Sequence, residues 1–311
     1  MNFFNFFKKN FNKEYPIWFA LLALGLAILF WASAYVVIRV DIKEFSAGAL
    51  GLLRYGTAAM VMLLIYIFTP HKTKLNLKDL FLIFITGAIG LGLYNILVNQ
   101  GEVSVPAGAA SFIVSTMPVF SVIAACIFLK EKINFFGIFG VFISFFGIVL
   151  LSISQHEQAV KNTGVSSFSG IICLLLAVFC AVFYGLMQKK LLKKFKAIEL
   201  VCLSIFSAFF VQIIFLKDLI HELSQASGMA VGLGIYLGIF PAALAYLGYT
   251  IALTRLSMIK ANMSIFILPF LALLMGWIFL GERFSLLAFL GGVLALMGPV
   301  LIHCMRARKL K

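Results

Sequence analysis

The sequence predicts an all-α integral membrane protein, with ten transmembrane helices arranged as two inverted five-helix repeats. Three observations carry that prediction. Of 311 residues, 63% are hydrophobic and only 12% are charged, about half the charged fraction of a soluble domain. The apolar residues fall in continuous blocks near the roughly 20 residues that cross about 30 Å of hydrocarbon at 1.5 Å per residue. The first five blocks also resemble the last five at a nearly constant offset.

In chain order the blocks cover approximately 16–38, 46–69, 79–101, 107–128, 134–152, 168–188, 197–216, 227–253, 261–280 and 284–304. Ten spans of about 21 residues use roughly 210 positions, leaving no room for a soluble domain. Transmembrane strands would alternate apolar and polar residues, and runs such as Phe136 to Leu151 do not. The expected organisation is a basic and aromatic cytoplasmic tail (1–15), a first five-helix repeat (16–152), an external linker (153–167), a second repeat (168–304) and a basic cytoplasmic tail (305–311). Met1 to Tyr15 mixes five Phe with Lys8, Lys9 and Lys13 and leads into a full-length span, so no cleavable signal is expected. That segment reads either as lying on the membrane surface or as a disordered tail.

The net charge of +14 answers a question about orientation. With the N-terminus inside, 19 Lys and Arg fall on cytoplasmic segments, among them Lys72, Lys74, Lys78 and the cluster Lys189 to Lys196. Five, namely Arg39, Lys43, Lys161, Lys217 and Arg283, fall outside, and only Arg54 remains within a span. Basic loops stay cytoplasmic, and one miscounted span would scramble this partition, so both ends are expected inside a plasma or bacterial inner membrane. The basic residues lie in scattered short loops without a recognition motif, which argues against nucleic acid. Cys126, Cys173, Cys180, Cys202 and Cys304 lie in apolar blocks without metal-ligand spacing, so no disulfide, metal or other cofactor is expected.

Ile127-Phe128-Leu129-Lys130-Glu131 returns 151 positions later as Ile278-Phe279-Leu280-Gly281-Glu282. Pro118 returns as Pro269, Gly140 as Gly291 and Gly147 as Gly298, while Leu26, Phe30, Ala32 and Tyr35 return at 149 as Leu175, Phe179, Ala181 and Tyr184. Five spans per copy is an odd number, so the second copy enters the membrane from the opposite side. Inverted halves are a recurring transporter plan, with the solute near mid-membrane.

The segments Phe30-Trp31-Ala32-Ser33-Ala34-Tyr35, Arg54-Tyr55, Pro106 to Ser111, Pro118 and Phe128-Leu129-Lys130-Glu131, echoed by Asn262, Pro269 and Phe279-Leu280-Gly281-Glu282, resemble the drug/metabolite transporter superfamily in its EamA branch. The resemblance spans nearly the whole chain, and its doubling is more specific than any single motif. It implies ten helices around a cavity lined mainly by spans 1, 3, 4, 6, 8 and 9. It also implies export or uptake of small metabolites, often amino acids, with substrates that vary widely.

Polar groups in lipid are costly and should face protein or a wet cavity. Asn95, Asn99 and Glu102 share one face of span 3 at i, i+4, i+7, with Tyr94 beside them. Ser111 and Ser115 align in span 4, and Tyr246, Tyr249 and Thr250 gather in span 8. Span 1 adds Trp31, Ser33 and Tyr35, span 6 adds Tyr184 and span 9 adds Asn262. Amides, hydroxyls and rings suit a zwitterionic or flat solute. The same residues also serve as helix-to-helix hydrogen bonds or as an aromatic belt. Arg54, some 12 Å below the outer surface at 1.5 Å per residue, is expected to pair with Glu102. Glu131 and Glu282 read as caps of short turns. Pro118 and Pro269 remove helix hydrogen bonds at matching points, as hinges or as static bends.

No GxxxxGK[ST] loop occurs in the chain, so ATP is not the expected driver. No Asp or Glu sits in the middle of a span, which favours facilitated exchange over proton coupling, with Glu102 the one titratable candidate. The expected function is therefore secondary transport of a small polar metabolite by alternating access. The alternatives are a carrier for a nucleotide-like methyl donor, a quaternary-amine exporter or a receptor without flux. His71, His156, His221 and His303 lie at span ends or in loops, which is no catalytic cluster. The partners expected are a small solute and the bilayer, and the protein is expected to act as a monomer or homodimer.

Overall fold

The computed structural model describes residues 15–41, 43–69, 73–104, 113–114, 116–160, 168–281, 286–287, 289–294 and 297. The side chains of Tyr35, Glu102 and Pro269 are outside that description. Among the described residues every regular element is helical. Seven helical stretches are long and apolar enough to cross a membrane, and two shorter apolar helices, Met117–Phe128 and Phe135–Gly147, accompany them. Most of the expected last block, 284–304, lies outside the described residues.

Helix α1 is Ile17–Asp41 and α2 is Ala47–Ile67. Helix α3, Leu77–Gly87, passes through one π-helical turn, Ala88–Leu93, into α4, Tyr94–Ser104. Then come α5 (Met117–Phe128), α6 (Phe135–Val160), α7 (Phe168–Leu191) and α8 (Ala197–Gln212). A short 3-10 turn, Ile213–Phe215, leads to α9 (Leu216–Leu223). Helix α10, Gly228–Leu237, passes through a second π-helical turn, Gly238–Leu244, into α11, Ala245–Arg255. Helices α12 (Met258–Ile265) and α13 (Leu268–Leu280) follow.

Side chains are sorted opposite to a soluble protein. Leu22, Met60, Phe81, Phe142 and Phe210 are exposed, whereas Ala20, Ala27, Ala32, Ala49, Ala58 and Ala208 are buried. Large apolar groups outside and small ones between helices are what lipid selects, since burying Leu among Leu gains nothing over burying it among acyl chains. Exposed apolar surface on this scale would not be soluble. The chain is an integral membrane protein.

The backbone divides into two compact units, Met1–Ile96 with Phe183–Leu256, and Leu97–Val182 with Ser257–Lys311. In the first, α1 packs along α11, α2 along α8, and α10 against α1 and α2. The π turn of Ala88–Leu93 packs on α8 and that of Gly238–Leu244 packs on α2. At the head of each π turn a glycine lets two backbones meet. A Cβ on Gly87 would strike the Ser204 backbone, and one on Gly238 would lie 2.7 Å from the Arg54 carbonyl oxygen. Carboxylates fasten this unit's helix starts. Glu44 accepts from Ser227 N–H at 2.6 Å and Ser227 Oγ at 2.9 Å, and Glu222 accepts from Ser46 N–H at 2.8 Å. Glu199 accepts from Thr73 N–H at 2.6 Å and Thr73 Oγ1 at 2.7 Å. The bonds from Ser46 and Ser227, the N-cap residues of α2 and α10, occupy amides that a helix start leaves bare, whereas Thr73 lies three residues before Asn76, the N-cap of α3.

In the second unit α5 packs on α12. Glu131 accepts from the backbone N–H groups of Met258 at 2.8 Å and Ile259 at 3.0 Å, the first two residues of α12. Pro118 and Pro269 do not bend the middle of a helix. Each stands in the first turn of a fresh one, α5 and α13, where a missing N–H leaves no bond unmade. Lys130, just after α5, has φ 54°, and its counterpart Gly281, just after α13, has φ 65°. Matching left-handed residues close the two helices that the sequence repeat equates.

Candidate functional site

The first unit gathers most of the expected solute-binding residues on α1, α7 and α11. Trp31 is held by Nε1–H donating to the carbonyl of Pro241 at 3.0 Å, an acceptor inside the second π turn. Its ring meets Tyr246 at 5.5 Å between centroids and Tyr249 at 5.6 Å. Tyr246 in turn meets Tyr184 edge-on, at 5.9 Å and 85°. Ring edges of positive potential thus face ring faces of negative potential, a packing worth about 0.5–1.5 kcal/mol per pair beyond burial.

A polar seam runs along these rings. Gln188 Nε2 donates to Tyr184 Oη at 2.6 Å. Thr250 Oγ1 donates to the Tyr246 carbonyl at 2.7 Å and lies 3.2 Å from Gln188 Oε1. Gln188 is 1% exposed and Thr250 is fully buried, so both must find partners inside the protein. The Tyr184–Gln188 spacing of i, i+4 on α7 was the available sequence signal for Gln188, although that residue stands at the edge of its block.

Arg54 and Tyr55 of α2 adjoin this cluster. Arg54, Tyr94 and Tyr246 lie within electrostatic reach of Tyr55, and Arg54 within reach of Tyr246. The Arg54 guanidinium is 5.8 Å from the Tyr55 ring centre. Tyr94 and Tyr246 occupy corresponding places, at the first and second residues of the helices that leave the two π turns. Asn95, 7% exposed, approaches α2 at Gly51, where a Cβ would lie 2.8 Å from Asn95 Oδ1. Rings, amides and a guanidinium can together bind the apolar, hydrogen-bonding and anionic parts of a small solute.

Ser33 donates to the Phe30 carbonyl at 2.8 Å. Its one hydrogen being used there, it accepts from Tyr236 Oη, also at 2.8 Å, a helix-to-helix bond. Asn99 and Asn262 belong to the second unit. Ser111, Ser115 and the side chains of Tyr35 and Glu102 lie outside the described residues. Arg54 makes no ion pair among the described residues. Among those residues no cluster of His, Cys, Asp and Glu is placed to hold a metal.

An all-helical membrane protein with rings, amides and a guanidinium gathered between its helices belongs among the transporters. The chain is a member of the EamA-like transporter family, whose model matches it twice, over residues 18–153 and 168–304. It is similar to an uncharacterized transporter, YdfC, of Bacillus subtilis, being 32% identical over 278 residues that make up 89% of each chain. It is also 31% identical to a probable terminal-alkyne amino-acid exporter of Streptantibioticus cattleyicolor, over 91% of this chain and 93% of that one. An uncharacterized transporter of Archaeoglobus fulgidus is 29% identical over 90% of this chain and 97% of that one. A protein of known crystal structure superposes with a TM-score of 0.76 at 15% identity, covering 94% of this chain and 98% of that one, which shows a shared fold.

Proposed function

We propose that this EamA transporter moves a small zwitterionic metabolite, an amino acid or a close relative, across the plasma or inner membrane by alternating access. The observation that carries this reading is the joined set of Trp31, Tyr184, Tyr246 and Tyr249 with Arg54 beside it. Aromatic faces accommodate an apolar side chain and an ammonium group, while the guanidinium attracts a carboxylate. The similarity to a probable amino-acid exporter supports the same solute class.

The mechanism proposed is exchange between two inverted five-helix halves, 16–152 and 168–304, with both termini cytoplasmic. Its support is crosswise. Each π turn packs against the second span of the other half, and each begins with a glycine at the approach. The two family matches run in tandem along the chain. The helix breaks before Pro118 and Pro269 are proposed as the pivots of that exchange. Replacing either proline by Ala is expected to slow transport while leaving folding intact.

Counterflow tests this function. Protein in liposomes preloaded with an unlabelled amino acid should accumulate the labelled form from outside, without ATP or an imposed pH gradient. The panel includes L-propargylglycine, a terminal-alkyne amino acid, together with choline and adenosine derivatives. Accumulation of an amino acid, lost in Trp31→Ala and Tyr246→Ala, is the expected result. Exchange of choline or an adenosine derivative alone would replace the amino-acid reading.

A further inference from the structure

Arg54 is a charge that the fold places within a span. Its Nε is buried without a hydrogen-bond partner among the described residues, while the hydroxyl of the adjoining, fully buried Tyr55 is directed to Tyr246. No carboxylate among the described residues pairs with the guanidinium. A buried charged donor left without a partner is costly, so this one is not a neutral accident of packing. Arg54 lies next to Tyr246, which belongs to the aromatic cluster of the proposed solute site.

We infer that Arg54 forms the carboxylate subsite of this transporter, so that every solute it carries bears a carboxylate group. The inference rests on the proposed solute reading and narrows it. A planar guanidinium is complementary to an anionic oxygen pair, to which it donates two parallel N–H bonds. Tyr246 and Trp31 then face the remainder of the solute. A cationic solute without a carboxylate would bring its charge towards the guanidinium and be repelled. A quaternary amine is thereby disfavoured, despite the aromatic rings.

The test is ligand-dependent thermal stabilisation of the purified full-length protein, backed by counterflow. The probes are the proteinogenic L-amino acids and L-propargylglycine, the amines formed by removing their carboxylates, and straight-chain carboxylic acids. Some of the carboxylate probes should stabilise the wild type, and the matched amines should not. Arg54→Gln should weaken that binding roughly tenfold to a hundredfold, as loss of a charge-assisted bond implies. Arg54→Lys should recover part of it, and Tyr55→Phe, which keeps the ring, should weaken it less than Arg54→Gln. Glu102→Gln should leave binding in place. Were Arg54 only the partner of Glu102, the two neutralised variants would behave alike, and the inference would fall. Equal binding of amines and amino acids, or carboxylate binding undiminished in Arg54→Gln, would also overturn it while leaving amino-acid counterflow standing. Absence of stabilisation or counterflow by every carboxylate probe would overturn the inference and the proposed function together.

Discussion

Asp41 shows how a single side chain can burden this fold. It ends α1, three residues beyond the apolar span Ile17–Ile38, is fully buried, and neither carboxylate oxygen has a partner among the described residues. Burial, and then the nearby Glu44, push its pKa from 3.8 up to about 6. Glu44 itself is held below the usual carboxylate range by its two hydrogen bonds from Ser227. A raised carboxyl pKa means that the folded state keeps a proton the unfolded state has released. Stability therefore falls as pH climbs from about 4 to about 6, and the loss is complete above that, roughly 3 kcal/mol at 1.36 per unit. Asp41→Asn should then raise the melting temperature at pH 8, with a gain that shrinks towards pH 4. A gain independent of pH would refute this account. Lys130 is a second strained residue, since a left-handed conformation costs a non-glycine residue about 1–2 kcal/mol. Lys130→Gly should stabilise α5 by up to about 1 kcal/mol in chemical unfolding, as Gly281 does after α13. At this scale the aromatic site residues were legible because Trp31, Tyr184, Tyr246 and Tyr249 are amphipathic groups set in apolar runs. Asp41 was not, because sequence position at a span end suggests a wet carboxylate and does not reveal that packing shuts water out.

Most of the described helix ends were legible to within a few residues, although α6 runs on to Val160, eight residues past its expected end and into the expected external linker; the irregularities within the helices were harder to read. Nothing in the composition of Ala88–Leu93 separates a π turn from an α turn, whereas Pro241 inside Gly238–Leu244 lacks the N–H that an α turn would use and does mark an irregularity. π turns of this kind recur at functional sites, and here each delivers a tyrosine, Tyr94 or Tyr246. Pro118 and Pro269 signalled discontinuities correctly in position, yet the form is a helix restart, which a missing N–H permits at no expense. The glycines of span 8 stand in different environments. Gly238 meets the Arg54 carbonyl and the Thr57 side chain, whereas Gly232 has open space around it. Gly238→Ala and Gly87→Ala should each destabilise by about 1–3 kcal/mol through overpacking. Gly232→Ala should be neutral or stabilising by up to about 1 kcal/mol, from helix propensity alone. Equal effects at the three positions in thermal unfolding would deny that the π turns are pinned by backbone contact.

For the whole molecule, membrane residence follows from the apolar exterior, and the family from a match that occurs twice in the chain. The sequence repeat was visible because it preserves a proline, a glutamate and glycines in register. The crosswise packing was not, because it depends on which helices the two copies bring together. Inversion of the two copies makes a direct demand on topology. Exposed residues at corresponding positions of the two halves must lie on opposite sides of the membrane. Two such pairs are Lys43 with Lys193 and Lys74 with Gln225. Single cysteines at these four positions, in a background lacking the native cysteines, can be probed in intact cells with a membrane-impermeant maleimide. The account predicts that Lys43→Cys and Gln225→Cys are labelled from outside, and that Lys74→Cys and Lys193→Cys react only after the membrane is opened. Labelling of both members of either pair from the same side would contradict it.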